Sequence, residues 1–463
     1  MLGQTIAAVA TPPGSGGVGI IRISGPDAYT VLQKVFRPRR MPQDGRFAPR
    51  YMYLGTVQDA AGNLLDEVLA VYMPAPHSYT GEDVAEIQCH GGYLVCREIL
   101  AEVLAAGAAP AGPGEFTARA FINGKMSLDQ AEAVIDIIEA KSVDALKISE
   151  RQLSGSLQQQ IAGLADNLLD MLAELELMID YPEETEAEDV AQADRFGGRL
   201  HSVQASLNTL LQQAREGRYY RDGVLTAIVG PANAGKSTLL NALLETDRSI
   251  VTPIAGTTRD TVEEYYVLRG LPLKLVDTAG IRPTDDLVEQ AGIERSRKIL
   301  ADADLILLML DATSPLDDFW RRLISDNLGR PLLLLLNKSD LAADKMADLA
   351  AELGVLAPGV PQLILSAKLG DGLEGLKDEV SALLLSQSTG EPLSGLINER
   401  QRAALLTANQ ALQDAAARND LFFDADLLSV DLQTAWQALA EISGQAAADD
   451  IIERVFSRFC LGK

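Results

Sequence analysis

The spacing of apolar residues divides the chain into regions of different predicted structure. From residue 1 to about 120, short apolar runs such as residues 18–23 alternate with glycine and proline, which predicts short strands, turns and a few helices. From Ser127 the apolar spacing becomes helical, and a capping box of Ser127 and Gln130 marks the first long helix. Amphipathic helices are then predicted through Val134, Ile135, Ile138, Leu157, Ile161, Leu164, Leu168, Leu172 and Leu175.

Beyond residue 220 the pattern changes again. Apolar runs of strand length recur at residues 225–229, 273–276, 305–310 and 332–336, and they predict an α/β module. Helical spacing then returns at Leu405, Leu412, Ile451, Ile452, Val455, Phe456 and Phe459. The helical regions on either side of the module are predicted to pack together, because an inserted module needs adjacent entry and exit points.

The run at residues 225–229 leads into a complete phosphate-binding motif, Gly230-Pro-Ala-Asn-Ala-Gly-Lys-Ser237, which is followed by helical spacing. Backbone N–H groups between Gly230 and Gly235 form a positive concavity for a β-phosphate. Lys236 can reach the β- and γ-phosphates, and Ser237 offers a hydroxyl to Mg2+. Strand, loop and helix occur in the order that this chemistry requires.

Further segments in fixed order favour a guanine nucleotide. Asp277-Thr-Ala-Gly280 ends a strand, where a carboxylate can hold the metal through water and a glycine N–H can sense the γ-phosphate. Thr257 or Thr258 can complete the Mg2+ shell only with the γ-phosphate present, so this loop is a candidate switch. In Asn337-Lys-Ser-Asp340 the last carboxylate can accept from guanine N1 and N2, and Ser366-Ala-Lys368 can back the base with an N–H. Each segment alone is compatible with an ordinary turn, but together they predict a GTPase.

The predicted GTP site is therefore assembled from several loops of one module. It comprises Asn233, Ala234, Gly235, Lys236, Ser237, Thr238, Thr252, Pro253, Ile254, Ala255, Gly256, Thr257, Thr258, Asp277, Thr278, Ala279, Gly280, Asn337, Lys338, Asp340, Ser366, Ala367 and Lys368.

Catalysis in this site needs an unusual arrangement. Ile281 follows Gly280, whereas many GTPases have a glutamine there that orients the attacking water. The side-chain oxygen of Asn233, with main-chain carbonyls of residues 252–257, can hold a monovalent cation beside the phosphates. A loop-stabilising amide is the alternative interpretation of Asn233. Glu289 is the nearest candidate for orienting water, although its acidic surroundings are also typical of a solvated turn.

Composition agrees with a cytoplasmic enzyme of about three domains. No stretch has the pattern of a signal peptide or a membrane span. The three cysteines, Cys89, Cys96 and Cys460, lack the spacing of metal ligands, and their odd number favours a reducing compartment. A formal net charge of −25 argues against extensive coating by nucleic acid, so any RNA contact is expected to be local.

The C-terminal sequence Cys460-Leu-Gly-Lys463 follows an apolar helix and has no evident part in GTP hydrolysis. It is not a prenylation signal, because a charged lysine ends the chain. Two interpretations of Cys460 stand at this point: a catalytic thiol, or one buried thiol in a frayed tail.

The whole chain resembles the MnmE (TrmE) family of tRNA-modifying GTPases. The resemblance rests on residues 11–25, on Tyr79-Thr-Gly-Glu-Asp83, His90-Gly-Gly92 and Pro113-Gly-Glu-Phe116, on the inserted GTPase and on the final Cys-x-Gly-Lys. It implies a multidomain fold that combines α/β and all-α parts. The expected units are an N-terminal α+β folate-binding and dimerisation domain at 1–120, a split helical domain at 121–220 and 386–463, and a Ras-like P-loop GTPase domain at 221–385.

The resemblance also implies an activity and its partners. Members act as homodimers with the flavoprotein MnmG and add an aminomethyl-type or carboxymethylaminomethyl group at C5 of the wobble uridine, position 34, of certain tRNAs. The carbon comes from 5-formyl- or 5,10-methylene-tetrahydrofolate. Matching motifs assign the folate site to Arg22, Glu86, Lys125 and Lys463, K+ to Asn233, Thr252, Ile254 and Thr257, Mg2+ to Ser237 and Thr258, and water orientation to Glu289. Arginine and lysine suit folate carboxylates, and a carboxylate suits the pterin N–H donors.

A different class of function is compatible with the GTPase motifs alone. The chain would then be a regulatory GTPase switch in ribosome or RNA assembly, with no group transfer. The regions outside the GTPase favour modification, especially Arg22, Lys125 and the terminal motif.

Overall fold

A computed structural model of the chain describes residues 3–40, 45–180, 189–246, 265–277, 298–385, 393, 395–418 and 424–463. The N-terminal domain is built on a seven-stranded sheet with the order β3-β4-β5-β6-β2-β1-β7. Its strands are β1 (Ile6–Val9), β2 (Gly19–Ser24), β3 (Phe36–Pro38), β4 (Tyr53–Gln58), β5 (Leu64–Met73), β6 (Val84–Cys89) and β7 (Ala109–Pro110).

Successive side chains of this sheet lie on opposite faces, so that core residues and the candidate functional residues are on different faces. On β2, Ile21 and Ile23 are fully buried among the helices α1 (Ala28–Val35) and α2 (Tyr93–Ala105). Arg22 lies between them in sequence and so points to the opposite face, because successive strand residues alternate. Part of that face is covered by α3 (Glu115–Ile122), whose Phe116 packs with Ile6 and Ala8 of β1.

The helical domain joins two distant parts of the chain in one core. Its helices are α4 (Leu128–Glu139), α5 (Val143–Leu153), α6 (Ser156–Asp180), α7 (Asp189–Asp222), α12 (Glu399–Ala416), α13 (Ala425–Ser443) and α14 (Asp449–Phe456), and those after α7 are numbered to follow the intervening module. Leu168 of α6, Leu207 of α7, Leu412 of α12 and Leu432 of α13 are fully buried together. At the start of α4, the N–H of Ser127 donates to Oε1 of Gln130 at 2.9 Å, as the capping box predicts.

The module between these parts has a six-stranded sheet with the order β13-β12-β11-β8-β10-β9. All neighbours are parallel except β9 and β10, which form an antiparallel hairpin. The strands are β8 (Val224–Val229), β9 (Tyr265–Leu268), β10 (Leu271–Asp277), β11 (Leu305–Asp311), β12 (Leu332–Asn337) and β13 (Gln362–Ile364). The helices are α8 (Lys236–Thr246), α9 (Asp318–Asp326), α10 (Met346–Leu356) and α11 (Leu373–Leu385), with a 3-10 turn at Ala343–Lys345.

This architecture confirms the predicted fold class, which combines a mixed N-terminal domain, helices from two chain segments and an inserted α/β module. Parallel strands place their carboxyl ends on one edge of a sheet, and that edge is where a ligand binds in such folds. No helix in the described part of the chain is both long and apolar enough to cross a bilayer.

Candidate functional site

The phosphate-binding loop connects β8 to α8, and its backbone explains its sequence. Asn233 and Gly235 have positive φ angles of 64° and 103°, a region that asparagine tolerates and glycine favours. A Cβ atom on Gly230 would lie 2.2 Å from the carbonyl oxygen of Met309, and one on Gly235 would lie 2.3 Å from Nδ2 of Asn337. The Nζ of Lys236 donates to the carbonyl of Gly230 at 2.9 Å, so its ammonium lies over the loop.

The base-recognition segments are bonded directly to the phosphate loop. Asn337, at the end of β12, donates from Nδ2 to the carbonyl of Ala234 at 2.6 Å. Its Oδ1 accepts from the N–H of Ala367 at 2.9 Å, and Ser366 donates to Asp340 at 2.7 Å. One buried asparagine therefore fixes the phosphate loop and both base loops relative to one another, and it does so at the carboxyl edge of the sheet.

Lys338 is held by an acidic neighbour at the end of β11. Its Nζ lies 2.6 Å from Oδ2 of Asp311. Burial alone would raise the pKa of Asp311, yet hydrogen bonds from Lys338 and Thr313 lower it, so the carboxylate stays charged and fixes the lysine. Fixing the lysine in this way leaves its stem beside the segment that ends at Asp340.

The predicted GTP-binding residues fall into two groups by side-chain exposure: buried residues that hold the loops together and exposed residues that can contact a ligand. Four side chains are buried and hold the loops together: Ala234, Asn337, Ser366 and Ala367. Five are exposed and available to a ligand: Asn233, Ser237, Thr238, Asp340 and Lys368. The Ser237 hydroxyl at the start of α8 and the Asp340 carboxylate are thus in the exposed set, whereas Lys236 is partly buried.

Several predicted site residues lie outside the described part of the chain. These are Thr252, Pro253, Ile254, Ala255, Gly256, Thr257, Thr258, Thr278, Ala279, Gly280 and Glu289. Asp277 is described through its backbone, which ends β10 and pairs with Ile228 of β8. The end of β10 is therefore next to the strand that enters the phosphate loop.

The side chain of Asn233 is open to a ligand in this loop. Its side chain is exposed, and within the described residues it forms no hydrogen bond that would brace the loop. A carboxamide oxygen that is not used for structure can bind a hard cation such as K+.

A second polar site lies on the N-terminal sheet. Arg22 on β2 and Glu86 on β6 are directly opposite across the strand pair, and their Nε and Oε1 atoms are 2.8 Å apart. The rings of Tyr79 and Phe116 lie 5.3 Å and 5.8 Å from the guanidinium carbon. Side-chain exposures of 18% for Arg22 and 16% for Glu86 leave both groups accessible at one edge. Such a set offers a cation, a carboxylate and aromatic faces together.

Arg119 is a buried arginine that was not predicted from the sequence, and its ion pairs stabilise this site. Arg119 is 2% exposed, and it pairs with Glu115 at 2.7 Å and with Glu82 at 3.1 Å. Glu82 belongs to the loop that carries Tyr79, and Glu115 precedes Phe116 on α3. Arg119 therefore fixes both ring-bearing segments, and the four-residue spacing of Glu115 and Arg119 was the available signal.

The end of the chain packs against the same site, which corrects one prediction. Cys460 is exposed and is not a buried thiol. The tail is not frayed, because Leu461 pairs with Pro113 and an oxygen of Lys463 accepts from the N–H of Phe116 at 3.2 Å. The Lys463 oxygen therefore lies at the N-terminal end of α3, where backbone N–H groups favour an acceptor.

The four predicted folate residues are brought to one region but do not all touch. Arg22 and Glu86 are bonded, and Lys463 reaches the pair through Phe116. The Nζ of Lys125 donates to the carbonyl of Pro76 at 3.1 Å, in the segment that leads to Tyr79. Lys125 and Lys463 thus border the Arg22–Glu86 pair through neighbouring segments.

Comparisons with known proteins cover the whole chain. A family model described as the MnmE helical domain matches residues 128–460, and one described as the GTP-binding protein TrmE N-terminus matches residues 5–125. The tRNA modification GTPase MnmE of Heliobacterium modesticaldum is 44% identical over 474 residues, covering 100% of both chains. The protein of that name from Lactobacillus delbrueckii subsp. bulgaricus is 42% identical, covering 99% of this chain and 98% of its own.

Among solved structures, the G domain of the T. maritima FeoB iron transporter is 27% identical. It covers 34% of this chain and 96% of that one, with a TM-score of 0.26, which is too low to support a conclusion about fold.

Proposed function

The chain belongs to the MnmE family of tRNA modification GTPases, and from this membership we propose that it hydrolyses GTP to support modification of the wobble uridine in certain tRNAs. The product carries an aminomethyl or carboxymethylaminomethyl group at C5. Asn337 provides the main structural support for the GTPase part of this proposal, because it joins the phosphate loop to the base loops.

In the GTPase site, the residues of this chain bind and orient the nucleotide. Backbone N–H groups of residues 230–235 and the Lys236 ammonium take the phosphates, and Asp340 takes the guanine edge. Ser237 and Thr258 hold Mg2+, and Asp277 holds it through water. The metal neutralises charge on the phosphates when bound.

Two further roles replace the missing glutamine at Ile281. Asn233, Thr252, Ile254 and Thr257 hold K+ beside the phosphates, where positive charge stabilises the transition state. Glu289 orients the attacking water. The exposed, unbraced side chain of Asn233 supports the first of these roles.

The N-terminal site binds the one-carbon donor, a 5-formyl- or 5,10-methylene-tetrahydrofolate. Glu86, held by Arg22, accepts from the pterin N–H groups, Lys125 pairs with a folate carboxylate, and Lys463 borders the site from the end of the chain. The candidate catalytic thiol of Cys460 is exposed, and the Cys460 carbonyl accepts from the N–H of Gly114 at 3.5 Å, two residues before Phe116. The packing of the C-terminal residues against Phe116 supports an enzymatic reading of this domain.

The proposal includes the partners that tRNA modification needs. The chain acts as a homodimer through its N-terminal domains, together with the flavoprotein MnmG, on tRNA. The reaction is assigned to the cytoplasm, where thiols such as Cys89 and Cys96 remain reduced.

Analysis of tRNA nucleosides from a strain that lacks this protein tests the proposal. We expect the C5-modified wobble uridine to disappear and to return when the wild-type gene is restored. A gene encoding Arg22→Ala should fail to restore it. Unchanged wobble uridine with defective ribosome assembly would instead identify a regulatory switch without group transfer.

A further inference from the structure

The β9–β10 hairpin occupies a special position in the GTPase module. Its first strand starts at Tyr265, shortly after the predicted switch residues Thr257 and Thr258, and its second strand ends at Asp277. Both ends of the hairpin are therefore tied to segments that contact the γ-phosphate and Mg2+ in the proposed function. A change at the phosphates that shifts either segment can therefore reach this hairpin along the chain.

The helical domain grips the start of this hairpin through Lys141, in the connection between α4 and α5. The Nζ of Lys141 lies 2.9 Å from the hydroxyl of Tyr265 and 4.1 Å from the centre of its ring. The same ammonium donates to the carbonyl of Asp222, the last residue of α7, at 3.2 Å. A cation is favoured there by the C-terminal end of the helix as well as by the aromatic ring.

The turn of the hairpin meets the helical domain at a second point. Gly270 has a φ of 84°, and a Cβ atom there would lie 2.0 Å from Oδ2 of Asp144, in the first turn of α5. Backbone and carboxylate are thus in close contact. Lys141 and Asp144 therefore contact the start of β9 and the turn that follows it, and both contacts come from the α4–α5 junction.

From this junction, α4 runs toward the N-terminal site. Glu132 pairs with Arg400 at 2.8 Å, which ties α4 to the helices beyond the GTPase module. Leu128 and Ala131 pack with Phe456 and Phe459, just before the chain end that contacts Phe116. The C-terminal end of α4 therefore leads to Lys141, which contacts the hairpin. The N-terminal end of α4 packs against the C-terminal residues of the chain.

We propose that Lys141 is the positioning residue that transmits the nucleotide state from the β9–β10 hairpin to α4, and through α4 to the chain end at the folate site. The inference rests on the proposed GTPase function and names the contact through which that function reaches the second site. A second interdomain contact exists: Arg218 of α7 forms an ion pair with Asp304, which precedes β11. Arg218 provides a matched control, since its ion pair joins the same two domains through the residue before β11 and not through Tyr265 or Gly270.

Hydrogen exchange on the full-length protein tests the proposal. Backbone amides of residues 128–153 are compared with GDP and Mg2+ and with GDP, Mg2+, K+ and aluminium fluoride. In the wild type we expect exchange in this segment to differ by about fivefold or more between the two states, the lower end of typical allosteric coupling. Lys141→Met should reduce the difference to less than about twofold. Lys141→Arg, which keeps the cation, and Arg218→Met should both retain it.

Two further measurements separate coupling from folding and from the proposed function. Tyr265→Phe keeps the ring but removes the hydroxyl, so it should give an intermediate difference even if Lys141→Met folds poorly. Nucleotide titration by calorimetry reports GDP binding independently of any exchange difference. Failure to bind GDP would refute the GTPase proposal itself. Three results would overturn the assignment to Lys141. The wild type could bind GDP but show no exchange difference between the two nucleotide states, Lys141→Met could retain that exchange difference, or Arg218→Met could lose it to the same extent.

Discussion

The GTPase site and the N-terminal site are built in opposite ways. The described part of the GTPase site consists of loops that follow successive strands of one sheet, and each loop contributes a contiguous motif. The N-terminal site combines Arg22, Glu86 and Phe116 with Lys463 from the far end of the chain. A site built from contiguous motifs can be identified from local sequence, whereas one built from dispersed single residues exists only after the domains have packed.

The two sites also differ in what lies beneath them. A buried amide, Asn337, holds the GTPase loops through neutral hydrogen bonds. A buried ion cluster, Arg119 with Glu82 and Glu115, holds the N-terminal site. Losing one partner of a buried ion cluster leaves an uncompensated charge, so the N-terminal site should be the less tolerant of substitution below its surface.

The largest expected effect is at Lys236, and it should be confined to one site. Lys236→Ala removes the charge that meets the β- and γ-phosphates, so we expect GTP hydrolysis to fall by about 100- to 1000-fold. Steady-state phosphate release measures the loss, and calorimetry with 5-formyltetrahydrofolate measures the second site. A comparable fall in folate affinity would show that the two sites are not separable in this way.

Arg22→Ala is the reciprocal experiment. Removing one partner of the Arg22–Glu86 pair leaves a partly buried carboxylate, so we expect folate affinity to fall by about 30-fold or more while GTP hydrolysis stays at the wild-type rate. Arg37→Ala is the matched control, because Arg37 is an exposed arginine of the same sheet that bonds only to backbone carbonyls in the described structure. If Arg22→Ala and Arg37→Ala lost folate affinity equally, the effect would come from the net charge of the domain and not from the Arg22 site.

A comparison of GTP hydrolysis in K+ and in Na+ tests whether the GTPase site holds a monovalent cation. Because Ile281 replaces glutamine and Asn233 has an exposed carboxamide, we expect hydrolysis to be at least about tenfold faster in K+ than in Na+. Asn233→Ala should remove this preference while GTP still binds. Initial rates at saturating GTP in the two salts decide the point, and equal rates in the wild type would contradict the cation site.

A smaller effect is expected from Asp136, which lies in the helical domain between the two sites. Burial raises the pKa of Asp136 to about 7, although the charge of Arg221 opposes the rise. Between pH 4 and 7 the unfolded chain has lost this proton while the folded chain keeps it, so stability falls as pH rises, by up to about 1.4 kcal/mol per pH unit. Above pH 7 both states are ionised and the dependence ends. Asp136→Asn should flatten this profile.

Trp436 reports on the domain that holds Asp136. The chain has two tryptophans, and Trp436 packs against the helical core while Trp320 lies in the GTPase module. Urea unfolding at several pH values, followed by fluorescence in a Trp320→Phe background, therefore measures the helical domain. Glu176→Gln alters an exposed acid of α6 in the same domain and should leave the profile unchanged. A slope that Asp136→Asn does not reduce would assign the pH dependence to other groups.

Much of the GTPase module could be predicted because its determinants are local. An apolar run followed by a glycine-rich loop and helical spacing already specifies strand, loop and helix around Lys236. The glycines at 230 and 235 have a reason that the sequence alone does not display, namely the approach of Met309 and Asn337. Even so, the residue type was sufficient for the prediction, as it was for the capping box at Ser127.

The N-terminal site could be predicted only in part. Family resemblance supplied Arg22 and Glu86, but neither residue has a local pattern that reveals its partner on another strand. Arg119 was missed because a single arginine in a helix is usually exposed, and only packing shows that it is enclosed. Cys460 was open to a wrong interpretation for the same reason, since exposure of a terminal residue depends on what the tail packs against.

The sequence by itself determined the fold class and the order of strand, loop and helix around the nucleotide loops, because neighbouring residues fix backbone conformation and hydrophobic period. Tertiary structure alone decided that Lys463 bonds to Phe116, that Arg119 is buried and paired with Glu82, and that Lys141 bonds to Tyr265. These contacts join residues far apart in the chain. Their free energy arises only when several domains have packed, so no local stretch of sequence encodes them.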